Sequence, residues 1–394
     1  MSDIDFSTYQ VNWNYPTAIR FGSGCVQQLP ELCRSLGMSK PLLVTDQGLA
    51  SSPLIENMLS MNNQAGLPTT IFSDIKPNPT GTNISAGVLA YRQGQHDGVI
   101  AVGGGSGLDA AKAIALMAGQ DRRLWDFEDV GDNWKRVNEA GVAPCIAIPT
   151  TAGTGSEVGR ASVITDEDVH VKRIIFHPKM LPANVILDPQ LTVGLPSALT
   201  AATGMDALSH CMEAFCAPGY HPMADGIAME GMRLIKAWLP VVFDDGENLQ
   251  ARGNMLIASS MGATAFQKGL GGMHALAHPL GALYDAHHGL LNAVLMPYVL
   301  SANRDAIADK MSDLARCLSM QDTSLDGVLD WVLAMRRRLC IPHTLAEIDI
   351  DDKRLDLIAK MAVEDPSAGG NPIEFTVEQY RAICESAVTG QLQL

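Results

Sequence analysis

The stretch "GVIAVGGGSGLDAAKAIALMA" (residues 98–118) decides the fold, because it joins a buried strand, a glycine turn and a helix-forming run. Four glycines fall within five residues, at positions 103, 104, 105 and 107. Bare backbone N–H groups at the start of a helix bind phosphate well. Leu108 stands where the usual GxGxxG dinucleotide fingerprint needs its last glycine. We therefore predict a phosphate cradle of unusual sequence; the alternative is a tight strand-to-helix turn that binds nothing.

Other short apolar runs end in polar or small residues, at 41–46, 69–74, 144–151 and, as two β-like runs, within 171–189. Such strands, separated by helix-compatible segments, are typical of a parallel sheet covered by helices. From about Leu195 the chain is rich in Ala, Leu and Met at helical spacing. We predict an α/β N-terminal domain with a parallel Rossmann-like sheet (1–194) plus an all-helical C-terminal domain (195–394). A cleft between the two would be the natural place for a site.

Two loops that follow predicted strands offer side chains to a cofactor. Asp46 ends a strand, where a carboxylate can accept both ribose hydroxyls of an adenosine and repel a 2′-phosphate. Taken alone, Asp46 is more typical of a helix cap, but together with the glycine loop it favours NAD over NADP. The loop at 148–157 holds Thr150, Thr151 and Thr154, which could hydrogen-bond a cofactor or form a cap and turn.

The helical half carries two pairs of polar residues at helical spacing. Asp206 and His210 are four residues apart, as are His274 and His278, so each pair lies on one face of a helix. His288 follows ten residues after the second pair. A carboxylate with imidazoles from a second helix suits an intermediate divalent metal, because imidazole suits Fe, Zn, Ni and Cu and the carboxylate adds a hard oxygen and charge compensation.

Each pair alone has a plainer explanation. An isolated HxxxH spacing is often coincidence, and a buried histidine more often bonds a backbone carbonyl than a metal. Spacing alone also does not choose the further ligand among His278, His287 and His288.

Composition excludes several classes of protein. The formal net charge is −15 and the pI is about 5.0, so phosphate-rich surfaces of nucleic acids or membranes would be repelled. The N-terminus has no basic region followed by an apolar run, and no apolar stretch is long enough to span a bilayer. The eight cysteines are scattered without a CxxC pair, which indicates reduced thiols. We expect a cytoplasmic protein.

Several stretches together resemble the iron-containing (group III) alcohol dehydrogenase family, whose architecture is also described as dehydroquinate synthase-like. They are "GGGSGLDAAKAIA", "PTTAGTGSE", "TAATGMDALSHCMEAF", "GMHALAHPLGALYDAHHGLLNAVLMP" and "GGNP". The resemblance runs from about Tyr15 to residue 372, which is nearly the whole chain.

The resemblance implies a role for each candidate residue. Four residues correspond to the metal ligands, namely Asp206, His210, His274 and His288. The residue matching His278 lies near the nicotinamide as a candidate proton relay, and His287 falls outside the family pattern. The positions that correspond to cofactor-binding residues are Asp46, Gly103, Gly104, Gly105, Ser106, Asp109, Thr150, Thr151, Thr154 and Lys172. Lys172 has a plainer alternative as a solvated basic residue. Fe²⁺ is the metal that the family implies, although the ligand set would also accept Zn²⁺, Ni²⁺ or Mn²⁺.

The implied activity is reversible hydride transfer between a small primary alcohol, or a diol, and NAD⁺. An ω-hydroxy acid or semialdehyde dehydrogenase of the same family is an alternative, since Arg160 could bind an acidic end of the substrate. The plainer expectation for Arg160 is an ion pair with Glu157 or Asp166. Phe266 would lie near the pocket, or simply pack in the core.

Two further alternatives belong to other classes. A dehydroquinate synthase-like lyase would need many basic side chains, and only 28 Lys and Arg are present. A non-enzymatic metal-binding protein would leave the glycine loop and Asp46 without a role.

The resemblance also implies a homo-oligomer, most simply a homodimer. The strand-like segment 8–24 is a candidate interface. Small-molecule alcohols or aldehydes are the expected partners.

Overall fold

The computed structural model describes Tyr15 and residues 17–169 and 171–392. The strands of this part of the chain are β1 (Ala18–Phe21), β2 (Leu42–Val44), β3 (Thr70–Phe72), β4 (Val99–Gly103), β5 (Cys145–Pro149), β6 (Ala161–Asp166), β7 (Val171–Phe176) and β8 (Asn184–Leu187). The α-helices of the first half are α1 (Leu29–Ser35), α2 (Pro53–Gln64), α3 (Gly81–Gln93) and α4 (Gly105–Met117). The second half contains α5 (Ser197–Cys216), α6 (Pro222–Asp244), α7 (Leu249–Ala265), α8 (Gly272–Tyr284), α9 (His288–Ala302), α10 (Arg304–Cys317), α11 (Leu325–Arg338), α12 (Leu355–Glu364) and α13 (Val377–Thr389).

A six-stranded parallel sheet with the order β1-β8-β5-β4-β2-β3 forms the centre of the first half. Its middle strands are buried on both faces. Val99 and Ala101 of β4 join the hydrophobic cluster that contains Ile114 of α4. Ile100 and Val102 join the opposite cluster with α1 and α2. Because side chains alternate along a strand, a strand covered on both faces must be apolar throughout.

The strand order reverses between β2 and β4. From β2 the chain runs outward to β3, and it then returns to place β4 on the other side of β2. Ligands of open α/β sheets bind at such a switch point, outside the carboxyl ends of the strands. Asp46 follows β2 and the glycine loop follows β4, so the sheet places these two segments at adjacent strand ends.

The β-like run at 171–189 divides between two structures. Residues 171–176 form β7, which pairs antiparallel with β6 and lies outside the parallel sheet. Residues 184–187 form β8, which joins the parallel sheet between β1 and β5.

The second half is helical and packs around α5. Nearly every residue of α5 is buried, because α6, α7 and α9 all pack against it. The predicted fold class, a parallel α/β half followed by a helical half, is confirmed. The exact boundary near residue 195 stays a prediction, although α5 begins at Ser197.

Part of the predicted interface segment 8–24 lies outside the described residues, namely 8–14 and 16. Its described part contains β1, an edge strand of the sheet. In the described part of the chain, no helix combines the length and apolarity that crossing a membrane requires.

Candidate active site

Four residues from three helices form a compact cluster in the helical half. Asp206 and His210 lie on α5, His274 lies in the first turn of α8, and His288 is the first residue of α9. One potential ligand atom from each lies within 4.8 Å of all the others. Oδ1 of Asp206 lies 3.9 Å from Nε2 of His210 and 3.8 Å from Nε2 of His288. Ligands on bonds of about 2.1 Å lie roughly 3.4 Å apart in a tetrahedron, so the cluster matches a metal site.

Electrostatics favour the neutral, metal-binding form of two of these histidines. Burial lowers the pKa of His210 to about 4. Burial, together with the neighbouring histidines, also holds the pKa of His288 well below its usual value. Neutral imidazoles present the lone pair that a divalent cation needs, and the carboxylate of Asp206 offers charge compensation.

Glu213 fixes the third imidazole. This buried carboxylate lies on α5, three residues after His210 on the same helical face. Its Oε2 lies 2.6 Å from Nδ1 of His274, and its Oε1 accepts a hydrogen bond of 2.6 Å from the backbone N–H of Met273. Burial lowers the pKa of His274, but the carboxylates of Glu213, Asp206 and Asp365 together raise it above its usual value. With its Nδ1–H bonded to Glu213, His274 directs Nε2 toward the cluster.

The side chain of Asn292 lies against the cluster. It lies on α9, one turn after His288, and is fully buried. Its Nδ2 lies 2.8 Å from Oδ1 of Asp206 and 3.1 and 3.2 Å from Nε2 of His274 and His288. Asn292 therefore contacts three of the four candidate ligands.

Of the three histidines among which spacing did not choose, the two outside the cluster, His278 and His287, have different environments. Nδ1 of His278 lies 2.8 Å from Oδ2 of Asp365, and its ring stacks on that of His288 with centroids 5.4 Å apart. Burial opposes ionisation of Asp365, but His278 and backbone hydrogen bonding lower its pKa below the usual value. His287 is the N-cap of α9, where its side chain accepts a hydrogen bond from the backbone N–H of Leu290. His287 thus has a structural role that explains its presence.

The glycine loop forms an open helix N-terminus in the first half. Helices α2 and α3 are capped by the side chains of Ser52 and Thr80. No side chain of the described residues caps α4, whose N-cap is Gly104. Its first N–H groups are therefore available to an anion. Gly103 has φ of 141°, in the region that favours glycine.

Asp46 lies beside this loop and has two roles. Its Oδ1 accepts hydrogen bonds of 2.9 and 3.1 Å from the backbone N–H groups of Gly48 and Leu49, which is the capping role that the sequence suggested. Its Oδ2 would lie 3.3 Å from a Cβ at Gly103. Oδ1 of Asp46 therefore holds the turn at Gly48 and Leu49, and Oδ2 lies beside the glycine loop.

The loop at 148–157 lies between the glycine loop and α5, which carries two of the candidate metal ligands. A Cβ at Gly104 would lie 3.3 Å from Thr151, and one at Gly105 would clash with Thr154 at 2.6 Å. On its other side, Gly153 lies against Thr203 of α5, where a Cβ would approach to 2.7 Å. The loop therefore contacts both the open end of α4 and the helix that carries Asp206 and His210.

The remaining predicted cofactor residues are engaged with protein groups. Asp109 accepts hydrogen bonds from the Ser156 hydroxyl and from the backbone N–H of Val163, and lies 3.2 Å from Nζ of buried Lys112. Through Ser156, the side chain of Asp109 therefore helps to hold the loop at 148–157 in place. The hydroxyl of Ser106 donates to the carbonyl of Pro77.

Lys172 connects the two halves of the protein. Its Nζ donates to Oδ1 of Asn78 at 2.9 Å, and the Asn78 amide in turn donates to Asp285 at the end of α8. Burial lowers the pKa of Lys172. Lys172 is therefore partly buried and bonded to a protein group, and its role toward a cofactor stays a prediction.

A cavity of about 290 Å³ lies between the two halves. Phe266 is one of its lining residues, and its ring also makes an edge contact with His210, with centroids 5.1 Å apart. Arg160 also lines this cavity. The expected ion pairs of Arg160 are absent from the described residues, because Glu157 accepts from Ser260 and Asp166 pairs with Arg173.

Sequence reasoning missed three residues that contact the candidate ligands or relay. Glu213 continues the Asp206–His210 face by a further turn, and Asn292 lies four residues after His288, so helical spacing could have found both. Asp365 contacts His278 from a separate loop 87 residues away, and no local pattern marks it.

Known proteins resemble this chain along nearly its whole length. Residues 16–189 match the family model described as iron-containing alcohol dehydrogenase, and residues 200–388 match that of the Fe-containing alcohol dehydrogenase family, C-terminal. A 4-hydroxybutyrate dehydrogenase of Cupriavidus necator is 38% identical over 95% of this chain and 99% of its own length. An NAD-dependent methanol dehydrogenase of Bacillus methanolicus is 36% identical, over 96% of this chain and 100% of its own length. The crystal structure of a 1,3-propanediol oxidoreductase superposes with a TM-score of 0.91 at 34% identity, over 96% of this chain and 100% of that one.

Proposed function

Because this chain belongs to the iron-containing alcohol dehydrogenase family, we propose that it interconverts a small primary alcohol or diol and its aldehyde. It is an NAD- and divalent-metal-dependent oxidoreductase acting on CH–OH groups. The observation that supports this most directly is the contact of one loop, at 150–154, with both the open helix end and the metal-ligand helix.

The metal would be held by Asp206, His210, His274 and His288. Their fit rests on the donor set, one carboxylate oxygen and three imidazole nitrogens, and on the mutual distances within 4.8 Å. Fe²⁺ is the expected ion, and Zn²⁺, Ni²⁺ or Mn²⁺ would also suit this set. When bound, such an ion acts as a Lewis acid toward an alcohol or carbonyl oxygen. Glu213 contributes by fixing the ring of His274.

The cofactor would lie across the carboxyl ends of β2 and β4. The first N–H groups of α4 would bind the pyrophosphate, and Thr150, Thr151 and Thr154 would line the path toward the metal ligands. The free oxygen of Asp46 would accept the ribose hydroxyls and would repel the 2′-phosphate of NADP. NAD⁺ supplies the acceptor for the hydride that leaves the alcohol carbon.

His278 would move the proton released from the alcohol hydroxyl. Asp365 holds Nδ1 of this ring at 2.8 Å, which leaves Nε2 as the proton-accepting atom. In the reverse direction the same nitrogen returns the proton. Asp365 keeps the ring in one tautomer and orientation, as the acidic partner of a catalytic histidine does elsewhere.

The charges of the residues that line the cavity give little support to the lyase alternative. A phosphorylated and carboxylated substrate needs several cations, and Arg160 is the one cation among the described residues that line the cavity.

We also propose that the protein is a cytoplasmic homo-oligomer, most simply a dimer. All eight cysteines are free thiols, as expected in a reducing compartment. The exposed edge strand β1 offers a surface that a second copy could cover. Light scattering that detects only monomers would argue against the oligomer.

The decisive experiment is NADH formation by protein reconstituted anaerobically with Fe²⁺, with a panel of short primary alcohols and diols. We expect metal-dependent NADH formation and none with protein stripped by a chelator. Protein that binds both metal and NAD but forms no NADH with any alcohol would contradict the proposal.

A further inference from the structure

We propose that Arg160 is the anion-binding residue of the substrate cavity, so that the preferred substrate is a small primary alcohol with one negatively charged end group. An ω-hydroxy acid, and its semialdehyde in the reverse reaction, is the class that fits. This inference rests on the proposed function and leaves unchanged the roles proposed there for the metal ligands, NAD and His278.

The first observation is an uncommitted guanidinium at the cavity. Arg160 is half-buried, and its Cζ lies 5.4 Å from the centre of the Phe176 ring, which lines the same cavity. Among the described residues, no side chain or carbonyl accepts a hydrogen bond from the guanidinium, and no carboxylate lies within 4.0 Å of it. Burial lowers the pKa of Arg160, so the charge is partly desolvated without a direct partner. A guanidinium that no protein group accepts from is free to bind a ligand, and it binds a planar carboxylate through two parallel hydrogen bonds.

The second observation limits the charge of that ligand. Asp129 lines the same cavity and is the only other charged residue among its described lining residues. It interacts electrostatically with Arg160 but is exposed to solvent. A dianion such as a phosphate monoester would be attracted by one cation and repelled by one anion. A monoanion, a carboxylate or a sulfonate, fits this balance better, and the carboxylate matches the planar geometry of the guanidinium.

The third observation places the other end of the substrate. Phe266 lines the cavity and contacts the ring of His210, one of the candidate metal ligands. Pro366 and Ser367 also line it, directly after Asp365, the partner of His278. The cavity therefore extends from Arg160 to the reactive end of the site. A substrate anchored by its anion at Arg160 would have its hydroxyl directed toward the metal ligands, which is the positioning that accelerates such reactions.

The test compares 4-hydroxybutanoate with 1,4-butanediol, in which a neutral CH₂OH replaces the carboxylate. Wild-type protein, Arg160→Met and Arg160→Lys are assayed after Fe²⁺ reconstitution. Arg122→Met, which removes an exposed guanidinium, is the control for the loss of one charge. We expect the ratio of kcat/KM for acid over diol to fall about 10- to 100-fold in Arg160→Met, mainly through KM. Arg160→Lys should recover part of the ratio, and Arg122→Met should leave it at the wild-type value.

Asp129→Asn tests the charge balance. Removal of the opposing carboxylate should lower KM for the acid, whereas a cationic substrate would show a raised KM in this variant. Shorter and longer hydroxy acids, 2-hydroxyethanesulfonate and 3-hydroxypropyl phosphate distinguish the anionic groups. We expect the carboxylate to be preferred and the phosphate to be poorest; a preference for the phosphate would overturn the charge argument.

Calorimetry with butanoate, which carries the anion but no hydroxyl, makes the test independent of turnover. NAD-loaded protein should bind butanoate, and Arg160→Met should weaken that binding at least tenfold. An unchanged acid-to-diol ratio and unchanged butanoate affinity in Arg160→Met would overturn this inference while leaving the dehydrogenase intact. Butanoate binding without any NADH formation from acid or diol would instead contradict the proposed function.

Discussion

Nδ1 of His274 lies 2.6 Å from Oε2 of Glu213, so a buried carboxylate on one helix sets the orientation of a candidate metal ligand on another. The same carboxylate accepts from the N–H of Met273 at the start of α8. Glu213 therefore couples the position of α8 to the geometry of the metal site. Carboxylate partners of this kind orient metal-bound imidazoles in many metal sites.

Replacement of Glu213 should weaken metal binding. Glu213→Gln keeps the shape but removes the charge that orients His274, and we expect metal affinity to fall by roughly 10- to 100-fold. Calorimetric titration with Zn²⁺ measures this directly. Glu56→Gln, at an exposed position of α2, is the control. An affinity equal to the wild type would mean that Glu213 acts only as a helix cap.

Alanine variants of the adjacent histidines His287 and His288 form a matched pair of tests for metal binding. His288→Ala should abolish stoichiometric metal binding, because one of the four proposed ligands is lost. His287→Ala should retain the metal but lower the free energy of unfolding by about 1 kcal/mol, since it removes the N-cap of α9. Metal content by mass spectrometry and thermal unfolding separate the two effects. Metal loss in both variants would count against this assignment.

His278 should affect catalysis without affecting metal content. His278→Ala is expected to lower kcat by about 10²-fold, in the range for a lost acid–base group. Asp365→Asn should have a smaller effect, because the ring remains and only its orienting partner is changed. Added imidazole should restore part of the activity of His278→Ala. Wild-type kcat in that variant would exclude the relay.

Asp46 should control the choice of cofactor. Asp46→Ser keeps a side-chain oxygen for the turn at Gly48 and Leu49 but removes the charge that repels a 2′-phosphate. We expect the kcat/KM ratio for NADP over NAD to rise at least about tenfold. Steady-state kinetics with both cofactors measure the ratio. If it does not change, the role of Asp46 is confined to the turn.

Glu157 should make stability depend on pH. Burial raises the pKa of its carboxyl above 4.5, the value of the unfolded chain. Between pH 4.5 and the pKa of the folded protein, the folded protein therefore keeps the Glu157 proton that the unfolded chain has lost. Stability therefore falls as pH rises from 4.5 toward the native pKa. Glu157→Gln can keep the hydrogen bond from Ser260 and should unfold at a higher temperature than the wild type at pH 8.

The difference in unfolding temperature between Glu157→Gln and the wild type should narrow as the pH is lowered toward 4.5, because the raised pKa of Glu157 favours its neutral, protonated form there. Glu56→Gln, at an exposed position of α2, provides the comparison for a lost carboxylate. A lower unfolding temperature for Glu157→Gln at pH 8 would contradict the prediction.

Local sequence determined the fold class and most of the elements that carry the site. The apolar run before Gly103 could only be buried on both faces, and the glycines after it left the start of α4 open. Helical spacing placed Asp206 with His210 and His274 with His278 on shared faces. These features depend on neighbours within a few residues, and the periodicity of strands and helices expresses them directly.

Tertiary structure alone decided how those faces meet. Periodicity could not show that β7 pairs with β6 outside the parallel sheet, since the run at 171–176 has ordinary strand composition. It could not choose His288 over His287, because the choice depends on where α9 begins and which ring then faces Asp206. Glu213, Asp365 and the uncommitted Arg160 acquire their roles from contacts between segments distant in the chain. The physical reason is that hydrogen bonding and burial act through space, whereas sequence patterns record only the spacing along one element.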